Sequence, residues 1–118
     1  LFSQHIKNIT PNGVSSKVTE HHGGEPYVAP TNTIGFQAAS KAYQEVFNLK
    51  PIPTRDGGSI PIIALFEKEL NSKTILMGFG LDSDAIHSPN EHYGVSNFLM
   101  GIETISKFYF HYSKLFKG

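Results

Sequence analysis

The residues of this chain best suited to chemistry lie in one run, Gly78-Phe79-Gly80-Leu81-Asp82-Ser83-Asp84-Ala85-Ile86-His87-Ser88-Pro89-Asn90-Glu91. It offers an imidazole, three carboxylates and serine within a few positions. A neutral imidazole can ligate a metal or move a proton, and neighbouring carboxylates can orient it. A hydrophobic strand running into such a loop would place it where open α/β sheets bind ligands. Spacing alone argues for less. No His-x-x-x-His pair surrounds His87; the nearest histidine is His92, five residues on. A single loop histidine of this kind is ordinarily a surface residue.

Two further stretches carry polar groups beside glycines. In His21-His22-Gly23-Gly24-Glu25-Pro26-Tyr27 the glycines let the backbone turn sharply or approach a ligand. Paired histidines are more often solvated than functional, but their place beside Gly-Gly keeps them as candidates. In Arg55-Asp56-Gly57-Gly58-Ser59-Ile60-Pro61, Ser59 has the chemistry of an N-cap and Pro61 suits a first helical turn. A helix start presents free N–H groups and the positive end of the helix dipole, so an anion is favoured there. Capping and anion binding are compatible roles for Ser59.

The totals bound the rest. The chain's 118 residues suffice for one modest domain. Ten acidic and ten basic residues leave no electrostatic footprint for nucleic acid or an anionic membrane. With no cysteine, disulfides and thiolate metal sites are excluded. No apolar run approaches the length of a membrane span. Leu1 is not an initiator methionine and the first residues are not a signal peptide, so the chain reads as a piece of something longer.

The elements that would position these groups follow from periodicity and breakers. Leu1, Phe2, His5, Ile6 and Ile9 follow helical spacing until Thr10-Pro11-Asn12-Gly13 stops it. Val14, Val18 and Thr19 predict a strand over 14–22. A helix is predicted over 33–47, capped by Asn32 or Thr33, with Ile34, Ala38, Ala42, Val46 and Phe47 on its packed face. Pro51 and Pro53 make 50–54 an extended connector. A helix over 59–70 is apolar nearly all round and is expected to be buried. The run 74–79 predicts a strand covered on both faces. The spacing from Val95 predicts a long helix to 116. Alternation of this kind indicates an α/β layer, although one clear strand cannot make a sheet, so the apolar faces need partners from self-association or from upstream sequence.

In order and separation, His22 to Tyr27, Arg55 to Pro61 and Ala85 to Glu91 resemble the C-terminal portion of the carnosine dipeptidase family. These are di-zinc amidohydrolases related to aminoacylase, glutamate carboxypeptidase and succinyl-diaminopimelate desuccinylase. The resemblance implies an α/β fold, with helices packed on a mainly parallel sheet. Residues 1–28 would be the end of an inserted lid or dimerisation domain, and 29–118 the returning part of the catalytic domain. It implies that His87 ligates one of two zinc ions. His22 would reach the substrate from the lid, and Ser59 with Gly57 and Gly58 would hold the substrate carboxylate, aided by Arg55. Glu91 and Asp84 would support His87. The substrate would be a dipeptide or N-acyl amino acid, the enzyme a cytoplasmic homodimer joined through the lid. The family's general base and other metal ligands have no counterpart here, so no catalytic residue is assigned and the isolated chain is expected to be inactive. A deacylase of the same family, or a non-catalytic dimerisation or binding domain, are the alternatives.

Overall fold

The computed structural model describes residues 1–21, 23–55 and 60–116. Within them the chain forms four α-helices: α1 Phe2–Ile9, α2 Ile34–Phe47, α3 Ile62–Leu70 and α4 Val95–Leu115. A single 3-10 turn, Asp82–Asp84, interrupts the connection between α3 and α4.

The helices begin and end for local reasons. The Thr33 hydroxyl accepts the Phe36 N–H at 3.1 Å, capping α2. Asn48 and Asn71 close α2 and α3 in the left-handed conformation, which Asn adopts more readily than most residues. At the end of α1, the Thr10 N–H and hydroxyl both donate to Ile6 O. Pro61 stands at the cap of α3, so that helix starts three residues later than the predicted Ser59 and without a side-chain cap bond.

The expected α/β fold is not present: among the described residues there is no β-strand. Residues 14–21 and 72–81 lie outside the helices and form no ladder with any described segment. A strand requires a second segment to complete its ladder of hydrogen bonds, and no described segment supplies one. The 74–79 run is instead an irregular ribbon that touches α2 and α4. A Cβ on Gly35 of α2 would come within 2.9 Å of Ile75, and one on Gly101 of α4 within 3.3 Å of Phe79.

The packed unit is α2 against α4, the one pair of helices in substantial contact among the described residues. Its buried positions are small: Ala38, Ala39 and Ala42 on α2, Gly101 and Thr104 on α4. Small side chains at a crossing let two helix backbones approach closely. The buried Thr104 hydroxyl donates to Met100 O at 2.7 Å, so the pair buries no unmet hydroxyl there. Further along, Glu45 of α2 reaches Lys107 at 3.3 Å and His111 Nε2 at 2.8 Å, although the His111 N–H does not point along that contact. Desolvation raises the Glu45 carboxyl, but the hydrogen bonds and charges of Lys107 and His111 outweigh it and hold the carboxyl below its ordinary value.

Little else is enclosed. The expectation of a buried α3 fails, since Ile63 is buried while Ile62, Leu65, Phe66 and Leu70 are exposed. On α1 no residue is buried. The radius of gyration is 19.7 Å, against about 13–14 Å for a compact chain of this length. Apolar side chains of α3 (Leu65, Phe66, Leu70) and of the part of α4 turned away from α2 (Phe98, Leu99, Ile102) stay exposed within the described residues.

Candidate functional site

The ribbon over 72–81 delivers the chain to the His87 loop, and three side chains grip its carbonyls. The Tyr27 hydroxyl donates to Thr74 O at 3.1 Å and the Tyr43 hydroxyl to Gly78 O at 2.7 Å. The Asn97 amide, in the first turn of α4, donates to Phe79 O. The Tyr43 ring also stacks on Phe79, with centroids 5.3 Å apart. Burial, and to a lesser extent Tyr93, pushes the Tyr43 phenol up to about 12, so its hydroxyl remains a donor at neutral pH. These grips replace the ladder that a strand would have used.

Beyond the ribbon the loop folds on itself. The Asp84 N–H donates to Leu81 O at 2.9 Å, while Asp84 Oδ2 accepts the Leu81 N–H at 2.8 Å. Asp84 O accepts the His92 N–H at 3.0 Å, and Ser88 N–H closes on Ala85 O at 2.9 Å. Asp84 is only 3% exposed, a buried carboxylate with one oxygen held by a backbone N–H. Ala85, His87 and Asn90 have φ of +54°, +61° and +65°. For L-residues other than Asn or Gly this conformation costs roughly 1–2 kcal/mol, and such strain concentrates where a structure needs it. The loop shares a shallow cleft lined by Gly80, Leu81, Asp82, Ala85, Ile86 and Ser88.

His87 is exposed, and among the described residues nothing hydrogen-bonds its ring. Both its nitrogens are thus available as far as the described residues go. His92, by contrast, turns Nδ1 to Asn90 O at 3.1 Å. Glu91 is exposed in the same loop, and Arg55 is exposed on the connector after α2. The carboxylate of Asp84 is engaged by Leu81, so any support it gives His87 runs through the backbone. His22, Gly57, Gly58 and Ser59 lie outside the described residues. Two described residues flanking them, however, meet: a Cβ on Gly24 would overlap Pro61, at the cap of α3.

Among the described residues no three of His, Asp and Glu converge on a point that could hold a metal ion. A catalytic zinc takes three protein ligands. An exposed, unengaged imidazole fits one ligand's share of such a centre and no more. Tyr27, Tyr43 and Asn97 escaped the sequence reading. Their one legible signal is a polar group within an otherwise apolar helical or extended segment, as for Asn97 between Val95 and Phe98.

Comparison with known proteins supports the family. The chain is 42% identical to the Cys-Gly metallodipeptidase DUG1 of Candida albicans, over 97% of this chain and 24% of that protein. It is 27% identical to the human Beta-Ala-His dipeptidase, over 96% of this chain and 23% of that one. The structure superposes on the solved di-peptidase Dug1p from Saccharomyces cerevisiae with a TM-score of 0.73 and 37% identity, covering 77% of this chain and 19% of that one. The chain thus spans about a quarter or less of the length of these relatives. No described helix is long and apolar enough to cross a membrane. Since residues 3–111 match the model of peptidase family M20/M25/M40, almost the whole of the chain, it belongs to that family.

Proposed function

We propose that this chain is part of a dipeptidase-type hydrolase and contributes one zinc ligand, His87, together with part of the pocket for the substrate's carboxylate. The observation that carries the reading is His87 itself: a strained, exposed, unengaged imidazole held on a loop knotted around a buried carboxylate. The similarity to metallodipeptidases supports it. Two zinc ions belong to the full-length enzyme in this reading, where they would polarise the scissile amide and activate water. The other metal ligands come from outside this sequence.

Residues 1–28 form the end of a lid domain through which a homodimer assembles, and 29–118 part of the catalytic domain. His22 meets the substrate from the lid, while Gly57, Gly58 and Ser59 bind its carboxylate at the approach to α3, with Arg55 nearby. The meeting of Gly24 with Pro61 favours such a shared pocket. The enzyme acts in the cytoplasm on dipeptides. Deciding between a dipeptidase and a deacylase takes an assay of the full-length protein on dipeptides, Cys-Gly and β-Ala-His among them, and on N-acyl amino acids, with zinc measured by mass spectrometry. Chelator-sensitive turnover of dipeptides is expected. Turnover of N-acyl amino acids alone would make it a deacylase, and no turnover with no zinc would end the hydrolase reading. The isolated 118-residue chain is expected to be inactive and nearly metal-free.

Gly24→Ala tests the shared pocket. The new methyl would overlap Pro61, a neighbour that cannot rotate away. The expected result in the full-length enzyme is a raised KM for dipeptides with zinc content unchanged. An unaltered KM would separate the two stretches.

A further inference from the structure

Asp84 is the described carboxylate most withdrawn from water, yet it makes no ion pair among the described residues. Burial of a carboxylate is costly unless it is hydrogen-bonded, and here it receives the Leu81 N–H at 2.8 Å. Its backbone carbonyl receives the His92 N–H at 3.0 Å. One residue thus joins position 81 to position 92 and closes the loop into a ring, with Ile86 folded back to within 3.3 Å of a Cβ placed on Gly80. His87 lies inside that ring, with its backbone in the left-handed region at φ +61°. Open loops relax out of this conformation, so closure is what keeps the imidazole where it is.

We propose that Asp84 is a positioning residue for His87, acting through the backbone of the closed loop rather than through its charge. The inference rests on the reading of His87 as a zinc ligand. It differs from the familiar arrangement in which a carboxylate accepts a hydrogen bond from the ligating imidazole. Here the carboxylate is buried and engaged by Leu81, whereas the imidazole is exposed. What the loop requires of Asp84 is an acceptor of the right length, which an amide oxygen also supplies.

The test compares Asp84→Asn with Asp84→Ala in the full-length enzyme. Readouts are zinc dissociation constants, kcat and KM at saturating zinc, and crystallographic φ at residue 87. Asp84→Ala is expected to weaken zinc binding by about 10–100-fold, as for other groups that orient a ligand, with kcat recovering when zinc is added. Asp84→Asn is expected to bind zinc like the parent and to keep φ at 87 positive. An Asn variant as weak as the Ala variant would overturn the proposal, because charge would then be the requirement. Parent-like zinc binding in the Ala variant would overturn it too. Should Asp84→Ala fail to fold, Asp84→Glu keeps the charge but places the acceptor one methylene too far out. It should weaken zinc binding as the Ala change does, and parent-like binding would refute loop closure as the cause. His87→Ala run alongside separates the two levels: if it keeps both zinc ions and full activity, the ligand reading itself has failed.

Discussion

His87→Ala is expected to strip one zinc ion from the full-length enzyme and to lower kcat/KM by more than about a hundredfold. Changes to groups that merely orient a metal ligand cost about 10–100-fold in affinity or activity, so loss of a ligand costs more. The backbone makes a second variant informative. At φ +61° a histidine carries strain that glycine does not. His87→Gly should therefore lose zinc and activity like the Ala variant while being about 1 kcal/mol more stable than it. Two variants equally poor in zinc and activity would then differ in stability, so the loss of activity would not follow from unfolding. His92→Ala and His111→Ala should retain both zinc ions. One ring is turned onto Asn90 O, and the other lies against Glu45 on the packed face of α4. Measurement of zinc per subunit and of kcat/KM decides. A His87→Ala enzyme with two zinc ions and parental kcat/KM would remove the residue from the metal site.

Ala42→Leu is expected to have the largest effect on stability. Ala42 has no exposed surface, and it sits on the packed face of α2 with Ala38 and Ala39, across from a helix whose buried positions are Gly101 and Thr104. Three added carbons have nowhere to go. Overpacking of this kind costs about 1–3 kcal/mol, and more where a close helix crossing must open. The same seam holds Gly101 against Phe79 and so sets where the ribbon enters the His87 loop. Zinc affinity should fall along with the melting temperature. Gln44→Leu, on the exposed side of the same helix, should change stability by no more than about 0.5 kcal/mol. Thermal and denaturant unfolding of the full-length variants provides the comparison. Equal melting temperatures for the two would mean that the helices do not meet through their alanines.

By itself the sequence determined the helices and the punctuation. An α-helix closes its hydrogen bonds four residues away, so periodicity and breakers suffice. Thr33 capping α2, Asn48 ending it and Val95 opening α4 were all written locally. The polar loop around His87 was legible for the same reason, as was the order of motifs that marks the family. The tertiary structure decided what depends on a second segment. Residues 14–21 and 74–79 have the composition of strands, but a strand exists only when a partner supplies the other half of each hydrogen bond. In place of that partner, Tyr27, Tyr43 and Asn97 hold the ribbon by its carbonyls, and no pattern in their spacing announced it. The burial of α3 was misjudged likewise, because an apolar helix is buried only if something covers it. Asp84 shows the same division within one residue. Its place beside His87 was plain in the chain, while its burial and its bond to Leu81 required the loop to close, and closure is a property of the fold.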